Sequence, residues 1–228
     1  MPQRRVSIVL PALNEERTIG EVIDEIKRAD VAARGYEIEV LVVDNGSTDR
    51  TEDIASRQGA RVIREGERGK GSAVRTGFGQ VSGDFVFMLD ADFTYPAAHI
   101  PEMLELLEDG HDVVLGSRIR GYMEPGAMSR LNVVGNRLLA LLANLLYGTR
   151  ISDLCTGCWG FRREVIDGLE LDARGFDLEA EMFAEVARKG YRVVEVPIGY
   201  RRRKTPSKLG SIRDGVKIGR TLIKERWS

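Results

Sequence analysis

Three apolar runs early in this chain end in the same way, and that repetition restricts the folds open to it. Residues 6–10 give way to Pro11-Ala12-Leu13-Asn14-Glu15, residues 40–43 to Asp44-Asn45-Gly46, and residues 85–89 to Asp90-Ala91-Asp92. Between them lie stretches with helical spacing, such as Ile19, Val22, Ile23 and Ile26 within 15–33. Strands are expected at 6–10, 37–44, 60–64, 84–89 and 112–116, with helices at 15–33, from the caps Ser47-Thr48-Asp49 to about 58, at 69–80, and at 99–109. Such alternation predicts an α/β fold, a Rossmann-like, mostly parallel central sheet with helices on both faces. Ligands of an open α/β sheet bind where its strands end, which is where all three polar clusters fall.

After Arg118 the rhythm changes. A loop over 120–129 precedes a helix over 130–147 that is apolar almost all round, with leucines at 131, 138, 139, 141, 142, 145 and 146. It is either buried completely or offers a face to lipid or a partner. A strand at 159–162, a helix at 178–189 and a strand at 193–200 complete the body. The tail from 211 to 227 spaces Ile212, Val216, Ile223 and Trp227 four or seven apart among basic residues, which reads as a docked C-terminal helix or a membrane-surface one. One catalytic domain is expected over 1–210, with residues 211–228 an amphipathic helix belonging to it or docked on it.

Net charge is −1, but unevenly spread. Residues 198–228 hold ten Lys and Arg against two acidic residues, a net +8, and the preceding 197 residues hold 24 basic against 33 acidic. A basic tail on an acidic body attracts phosphates, anionic lipid or nucleic acid. Aromatic residues are only 7% of the chain, which argues against nucleic acid as the partner. No run of about 18 apolar residues is present and no signal segment precedes the first strand, so a cytoplasmic chain is expected, attached at most peripherally to the cytoplasmic face of a membrane. Cys155 and Cys158 form a Cys-x-x-Cys without the second half a zinc site needs, the two histidines lying far upstream.

Two carboxylates one residue apart, Asp90 and Asp92, repel unless a cation or solvent lies between them. Read alone, the pair is a solvated loop or a site for a hard cation such as Mg²⁺ or Mn²⁺, which suits a diphosphate. Asp44 is a turn residue or a hydrogen-bond acceptor for a ligand. Lys70 and Arg75, at a glycine-flanked helix start, are phosphate contacts or solvated charges. Arg118 ends a strand as a phosphate fork or a surface side chain.

Taken in order, Pro11-Ala12-Leu13-Asn14-Glu15, Asp44-Asn45-Gly46-Ser47-Thr48-Asp49, Asp90-Ala91-Asp92, Gly116-Ser117-Arg118, Asp153-x-x-Thr156-Gly157, Pro197-Ile198-x-Tyr200 and Ser207-Lys208 resemble inverting family 2 glycosyltransferases of GT-A fold. Within these the likeness is nearest to dolichol-phosphate mannosyltransferases and other polyprenyl-phosphate glycosyltransferases. The resemblance implies a hexosyltransferase that takes a nucleotide-diphosphate sugar, GDP-mannose ahead of UDP-glucose, and a polyprenyl or dolichyl phosphate acceptor. It implies that Pro11, Leu13, Glu15 and Asp44 line the nucleotide, that Lys70 and Asp90 serve it too, that Asp90 and Asp92 meet Mg²⁺ or Mn²⁺, and that Asp92 and Arg118 act in catalysis.

Arg130, Arg202, Arg203 and Lys208 are the cations expected at the acceptor phosphate. A phosphate monoester, with its second pKa near about 6, needs no base. A hydroxyl acceptor needs one, and Asp177 and Glu179 are the first suspects. Where such enzymes often carry Gln, two residues after the second Asp, this chain has Thr94, a poorer ligand that leaves open a nucleotide-binding scaffold without turnover. Many such relatives continue into transmembrane helices. None is seen through Ser228, so membrane contact is expected from the helix around 131–146 and the basic tail.

Overall fold

The computed structural model describes residues 4–205 and 211–227. Its strands are β1 (Arg5–Ala12), β2 (Glu37–Asp44), β3 (Arg61–Arg64), β4 (Phe85–Leu89), β5 (Val113–Ser117), β6 (Cys158–Arg162) and β7 (Val193–Pro197). Its α-helices are α1 (Ile19–Arg28), α2 (Thr51–Arg57), α3 (Lys70–Phe78), α4 (Ile100–Glu108), α5 (Arg130–Tyr147), α6 (Arg163–Gly168), α7 (Leu178–Arg188) and α8 (Ser211–Glu225). One sheet runs β3-β2-β1-β4-β6-β5-β7. Every neighbouring pair is parallel except those of β6, which runs against both β4 and β5.

The strand runs are apolar without alternation because both faces are covered. Ile8, Leu10, Phe87 and Leu89 meet Ile19, Ile23, Met103 and Leu107 on one side. Val9, Val86, Met88 and Trp159 meet Val74, Phe183 and Leu222 on the other. The chain leaves β1 toward β2 and β3, then returns to place β4 on β1's other flank, so the order reverses between β1 and β4. The crevice of a doubly wound sheet opens at such a reversal.

The structure departs from the sequence reading in three places and decides between its two alternatives at α5. α1 starts only at Ile19, because the amides of Thr18 and Ile19 turn back onto the Glu15 carbonyl after Asn14 takes a left-handed backbone, φ 52°. α6 and the antiparallel sense of β6 are not expected from sequence, since a five-residue apolar strand carries no mark of direction. α5 is not fully buried: Leu131, Val134, Leu138, Leu141 and Leu145 form an exposed stripe, the last 76% exposed, while Asn136, Ala140 and Ala143 face inward. In α8 the residues that fill the groove against α5 and α7 are Ile218 and Leu222, whereas Ile212, Val216 and Ile223, like Trp227 just past the helix, are exposed. Among the described residues no helix is long and apolar enough to cross a membrane.

Candidate active site

A cavity of about 900 Å³ opens at the C-terminal edge of β1 and β4 and continues under α5 and α8. Its polar end is lined by Pro11, Leu13, Glu15, Asn45, Arg68, Lys70, Asp90, Asp92, Arg118, Glu179, Tyr200 and Arg203. Its apolar end is lined by Met128, Leu131, Leu138, Leu139, Phe176, Ile212, Val216 and Ile218.

The two aspartates are held differently. Asp92 is buried: its Oδ1 accepts from the Thr94 amide at 3.1 Å and hydroxyl at 2.6 Å, and its Oδ2 meets Arg203 Nη2 at 2.6 Å. Burial and then the Asp90 carboxylate push the Asp92 carboxyl up, against the pull of Arg203 and Thr94. Thr94 thus props Asp92 through both of its donors. Asp90 is more open, with Oδ1 2.5 Å from Lys70 Nζ. Beneath it lies Gly157, where any Cβ would collide with the Asp90 carboxylate, so only glycine leaves that carboxylate its place. The Gly157 amide donates to the Tyr95 hydroxyl at 2.7 Å.

Lys70 bridges Asp90 and the buried Glu179, the latter at 2.6 Å. Burial alone lowers its pKa, but the two carboxylates override that and hold it above the ordinary lysine value. The helix start around it offers this lysine rather than its amides, because Gly71 and Ser72 already donate to the Arg174 carbonyl. Gly69, at φ 136°, admits no side chain against that carbonyl. Arg75 does not join Lys70; it turns away to the Asp172 carbonyl.

Arg118 is buried at the end of β5, with Nε and Nη2 forked onto Asp153 at 2.8 and 2.7 Å and Nη2 also on the Cys155 carbonyl. Asp153 also accepts from Asn136 of α5 at 2.7 Å. Burial opposes the Arg118 charge and Asp153 more than restores it, so its pKa is raised. The guanidinium lies 5.2 Å from the Tyr200 ring centre. Burial pushes both Cys155 and Cys158 thiols up to about 12, which leaves them un-ionised and poor ligands.

Asp44 lies next to the cavity, beside Asn45. Its Oδ2 accepts from the Gly46 and Ser47 amides at 3.3 and 3.1 Å, and its Oδ1 is buried with no partner. An unmatched buried acceptor costs on the order of 1–3 kcal/mol. Glu15 is buried with its Oε2 bonded to Thr18 at 3.1 Å. Asn14 and Phe93, the non-glycine residues with positive φ among those described, flank Glu15 and Asp92. Such strain collects at working sites.

The structure thus gathers Pro11, Leu13, Glu15, Lys70, Asp90, Asp92, Arg118 and Arg203 around one space. Arg130 and Arg202 are exposed and outside its lining; the Arg202 amide is tied to Glu124. Lys208, with Ser207, lies outside the described residues. Of the two suspected bases, Glu179 lines the cavity while Asp177 binds Lys217 of α8 at 2.7 Å. Arg68 is a cavity residue that the sequence reading misses, although its place in the glycine-broken run Glu67-Arg68-Gly69-Lys70 is a signal that could have found it. Asp153 stands in one of the sequence motifs, but nothing in the sequence assigns it a task. No group of three or more His, Cys, Asp or Glu side chains poised for a metal is present among the described residues. Two carboxylates still fit Mg²⁺ or Mn²⁺, which take one or two such oxygens and complete their shell from phosphate and water.

The model of glycosyl transferase family 2 matches residues 7–169. A dolichyl-phosphate hexose transferase of Haloferax volcanii is 38% identical over 219 residues, 96% of this chain and 92% of the relative. A dolichol-phosphate mannosyltransferase of Pyrococcus furiosus is 33% identical over 203 residues, which is 86% of this chain but only 56% of that longer protein. Among solved structures, glucosyl-3-phosphoglycerate synthase from Mycobacterium tuberculosis, in complex with Mn²⁺, UDP-glucose and phosphoglyceric acid, superposes with a TM-score of 0.78 at 27% identity, over 98% of this chain and 80% of that one.

Proposed function

The chain belongs to glycosyl transferase family 2 and is a hexosyltransferase of GT-A fold, and we propose that it moves a hexose, mannose ahead of glucose, from a nucleoside-diphosphate sugar to a polyprenyl phosphate with inversion at the anomeric carbon. The observation that carries this reading is the single cavity with two unlike ends: carboxylates and cations at the sheet edge, and an apolar passage between α5 and α8. A soluble acceptor has no use for the second half.

In this reading the nucleoside lies along Pro11 and Leu13, and a base or ribose donor fills the open acceptor position on Asp44 Oδ1. Asp90 and Asp92 would hold Mg²⁺ or Mn²⁺ for the diphosphate. When bound, the ion neutralises the diphosphate and eases departure of the nucleotide. Arg118, oriented by Asp153, draws the acceptor phosphate toward the anomeric carbon, and Arg203 meets phosphate beside the two aspartates. Arg130 and Arg202, outside the cavity lining, lend positive potential to it. The acceptor oxygen is already anionic near neutral pH, so it attacks without a protein base. The catalytic unit includes α8, which walls the passage.

The outer leucines of α5 and the outer apolar residues of α8, flanked by Arg137, Arg213, Lys217, Arg220 and Lys224, support peripheral attachment to an anionic membrane surface. The likeness to the Pyrococcus mannosyltransferase favours GDP-mannose, and the UDP-glucose bound to the similar synthase keeps that donor in the test. One observation favours a second reading with a hydroxyl acceptor: Glu179 is a buried carboxylate in the same cavity, though Lys70 already occupies it.

The test is transfer of labelled sugar from GDP-mannose and from UDP-glucose to a short polyprenyl phosphate with Mg²⁺ or Mn²⁺, with Asp92→Ala alongside. Label entering the organic phase, and lost in the variant, supports the reading. Nucleoside diphosphate released without lipid product moves it to a soluble acceptor, and inertness of folded protein toward both donors overturns it.

A further inference from the structure

Both carboxylates proposed for the divalent ion are already engaged by cations of the chain itself. Lys70 holds Asp90 Oδ1 and Arg203 holds Asp92 Oδ2, while Asp92 Oδ1 is spent on the two donors of Thr94. An ion that binds Asp92 through Oδ2 must take the place of the Arg203 guanidinium. Arg203 is presented by a short strap, residues 201–205, anchored outside the cavity at two points on α1: Arg201 on Glu25 at 2.9 Å and Lys204 on Glu21 at 2.6 Å. Both side chains also stack on Phe93, at 4.3 and 4.2 Å from its ring centre. Phe93 directly follows Asp92 and has φ 68°, so the strap and the carboxylate share one support. The anchoring pairs are partly exposed, a class of ion pair weak enough to exchange. Finally, Arg203 Nε is buried without a partner, a donor that the contact with Asp92 leaves unused.

We propose that residues 201–205 form an inhibitory latch, in which Arg203 competes with the divalent ion for Asp92 until a nucleoside diphosphate takes the guanidinium over. The diphosphate satisfies the unused Nε, draws Arg203 off the carboxylate and frees Asp92 Oδ2 for the ion. Ion and nucleotide then strengthen each other's binding by one and the same factor. The latch keeps the ion from settling without its substrate. This inference rests on the proposed metal site at Asp90 and Asp92.

The experiment is calorimetric titration of the full chain with Mn²⁺, alone and with saturating GDP or UDP, for the wild type, Arg203→Ala, Arg203→Gln, Arg203→Lys and Arg201→Ala, each checked for cooperative melting. In the wild type, nucleotide strengthens Mn²⁺ binding by about 10-fold or more, within the range of ordinary coupling between sites. Arg203→Ala and Arg203→Gln bind Mn²⁺ alone about 10-fold more tightly than the wild type, and their nucleotide effect shrinks by that same factor to what direct contact between ion and diphosphate supplies. Arg203→Lys, which keeps the charge without the Nε donor, keeps weak Mn²⁺ binding alone with a reduced nucleotide effect, and Arg201→Ala, which loosens the strap but keeps Arg203, shifts part of the way. Nucleotide-free Mn²⁺ binding that is equal or weaker in both neutral variants overturns the latch and leaves the metal site standing. Absence of Mn²⁺ binding in every protein, with or without nucleotide, overturns the metal site and the latch together.

Discussion

Thr94 gives both of its donors to one oxygen of Asp92, the amide at 3.1 Å and the hydroxyl at 2.6 Å. A residue that a motif comparison marks as a lost ligand is instead the buried support of the carboxylate two places before it. Hydrogen bonds to a charged group contribute about 1.5–3 kcal/mol each. Thr94→Val, which keeps the shape and loses the hydroxyl, is expected to raise the Mn²⁺ concentration for half-maximal sugar transfer by about 10-fold, since each 1.4 kcal/mol is one decade. Thr94→Ser is expected to stay near the wild type. Metal titration of transfer activity decides it, and equal behaviour of the two variants refutes the supporting role.

Asp153 holds a different kind of group, the buried cation of Arg118. Removing one partner of a buried pair strands the other charge and costs about 3–5 kcal/mol. Asp153→Ala is expected to lose that much stability in urea unfolding at neutral pH. Arg130→Ala, at the exposed start of α5, is expected to change it by less than about 0.5 kcal/mol. A mild Asp153→Ala variant shows that the pair is not a stabilising element.

His99 links pH to the seat of the strap. Its Nε2 accepts from the Gly199 amide at 2.9 Å, and burial lowers its pKa below the ordinary 6.5. A proton therefore binds the unfolded histidine more readily than the folded one. The stability that the neutral ring contributes is full above pH 6.5 and is lost as pH falls through the lower folded value. The melting temperature of the wild type is expected to drop over that acid range more steeply than that of His99→Gln. Parallel curves for the two proteins remove His99 from the account.

The exposed stripes of α5 and α8 give a prediction for the membrane. Leu141, Leu145 and Trp227 are exposed and lie outside the cavity lining. Burying a large apolar side chain is worth about 1.5–3 kcal/mol when complete. Even partial burial of three predicts that the combined Leu141→Ser, Leu145→Ser, Trp227→Ser protein binds anionic vesicles at least about 10-fold more weakly. Transfer to a short, water-dispersed polyprenyl phosphate is expected to persist. Vesicle cosedimentation reads the first quantity, and unchanged binding removes these faces from the membrane contact.

What the sequence made legible follows from where its signals are local. β1, β2 and β4 are readable because burial on both faces leaves a continuous apolar run, and the polar residues that close each run mark the ligand edge. α8 cannot be oriented from sequence, because Ile218 and Leu222 on one side and Ile212, Val216 and Ile223 on the other are equally apolar, and only the groove between α5 and α7 chooses. The pairing of Arg203 with Asp92 is not legible either: the sequence suggests one for phosphate and the other for metal, but nothing local joins β4 to a strap beyond β7. The place of Arg118 in the cavity can be anticipated from the end of its strand, but not its fork to Asp153, which follows α5 in the chain 35 residues later.

The reversed strand β6 has a mechanical consequence. Because it runs against β4 and β5, the chain coming from α5 enters the sheet at the ligand edge rather than the opposite one. That connection has little slack. Asn144 grips both polar groups of Ile151, and Asn136 grips Asp153 and the Cys155 amide, just ahead of the glycine under Asp90. The outer helix and the glycine against which the Asp90 carboxylate rests are thus joined by one short, hydrogen-bonded stretch of chain. The surface that would rest on a bilayer and the seat of a carboxylate that would hold the ion are neighbours along the chain as well as in space.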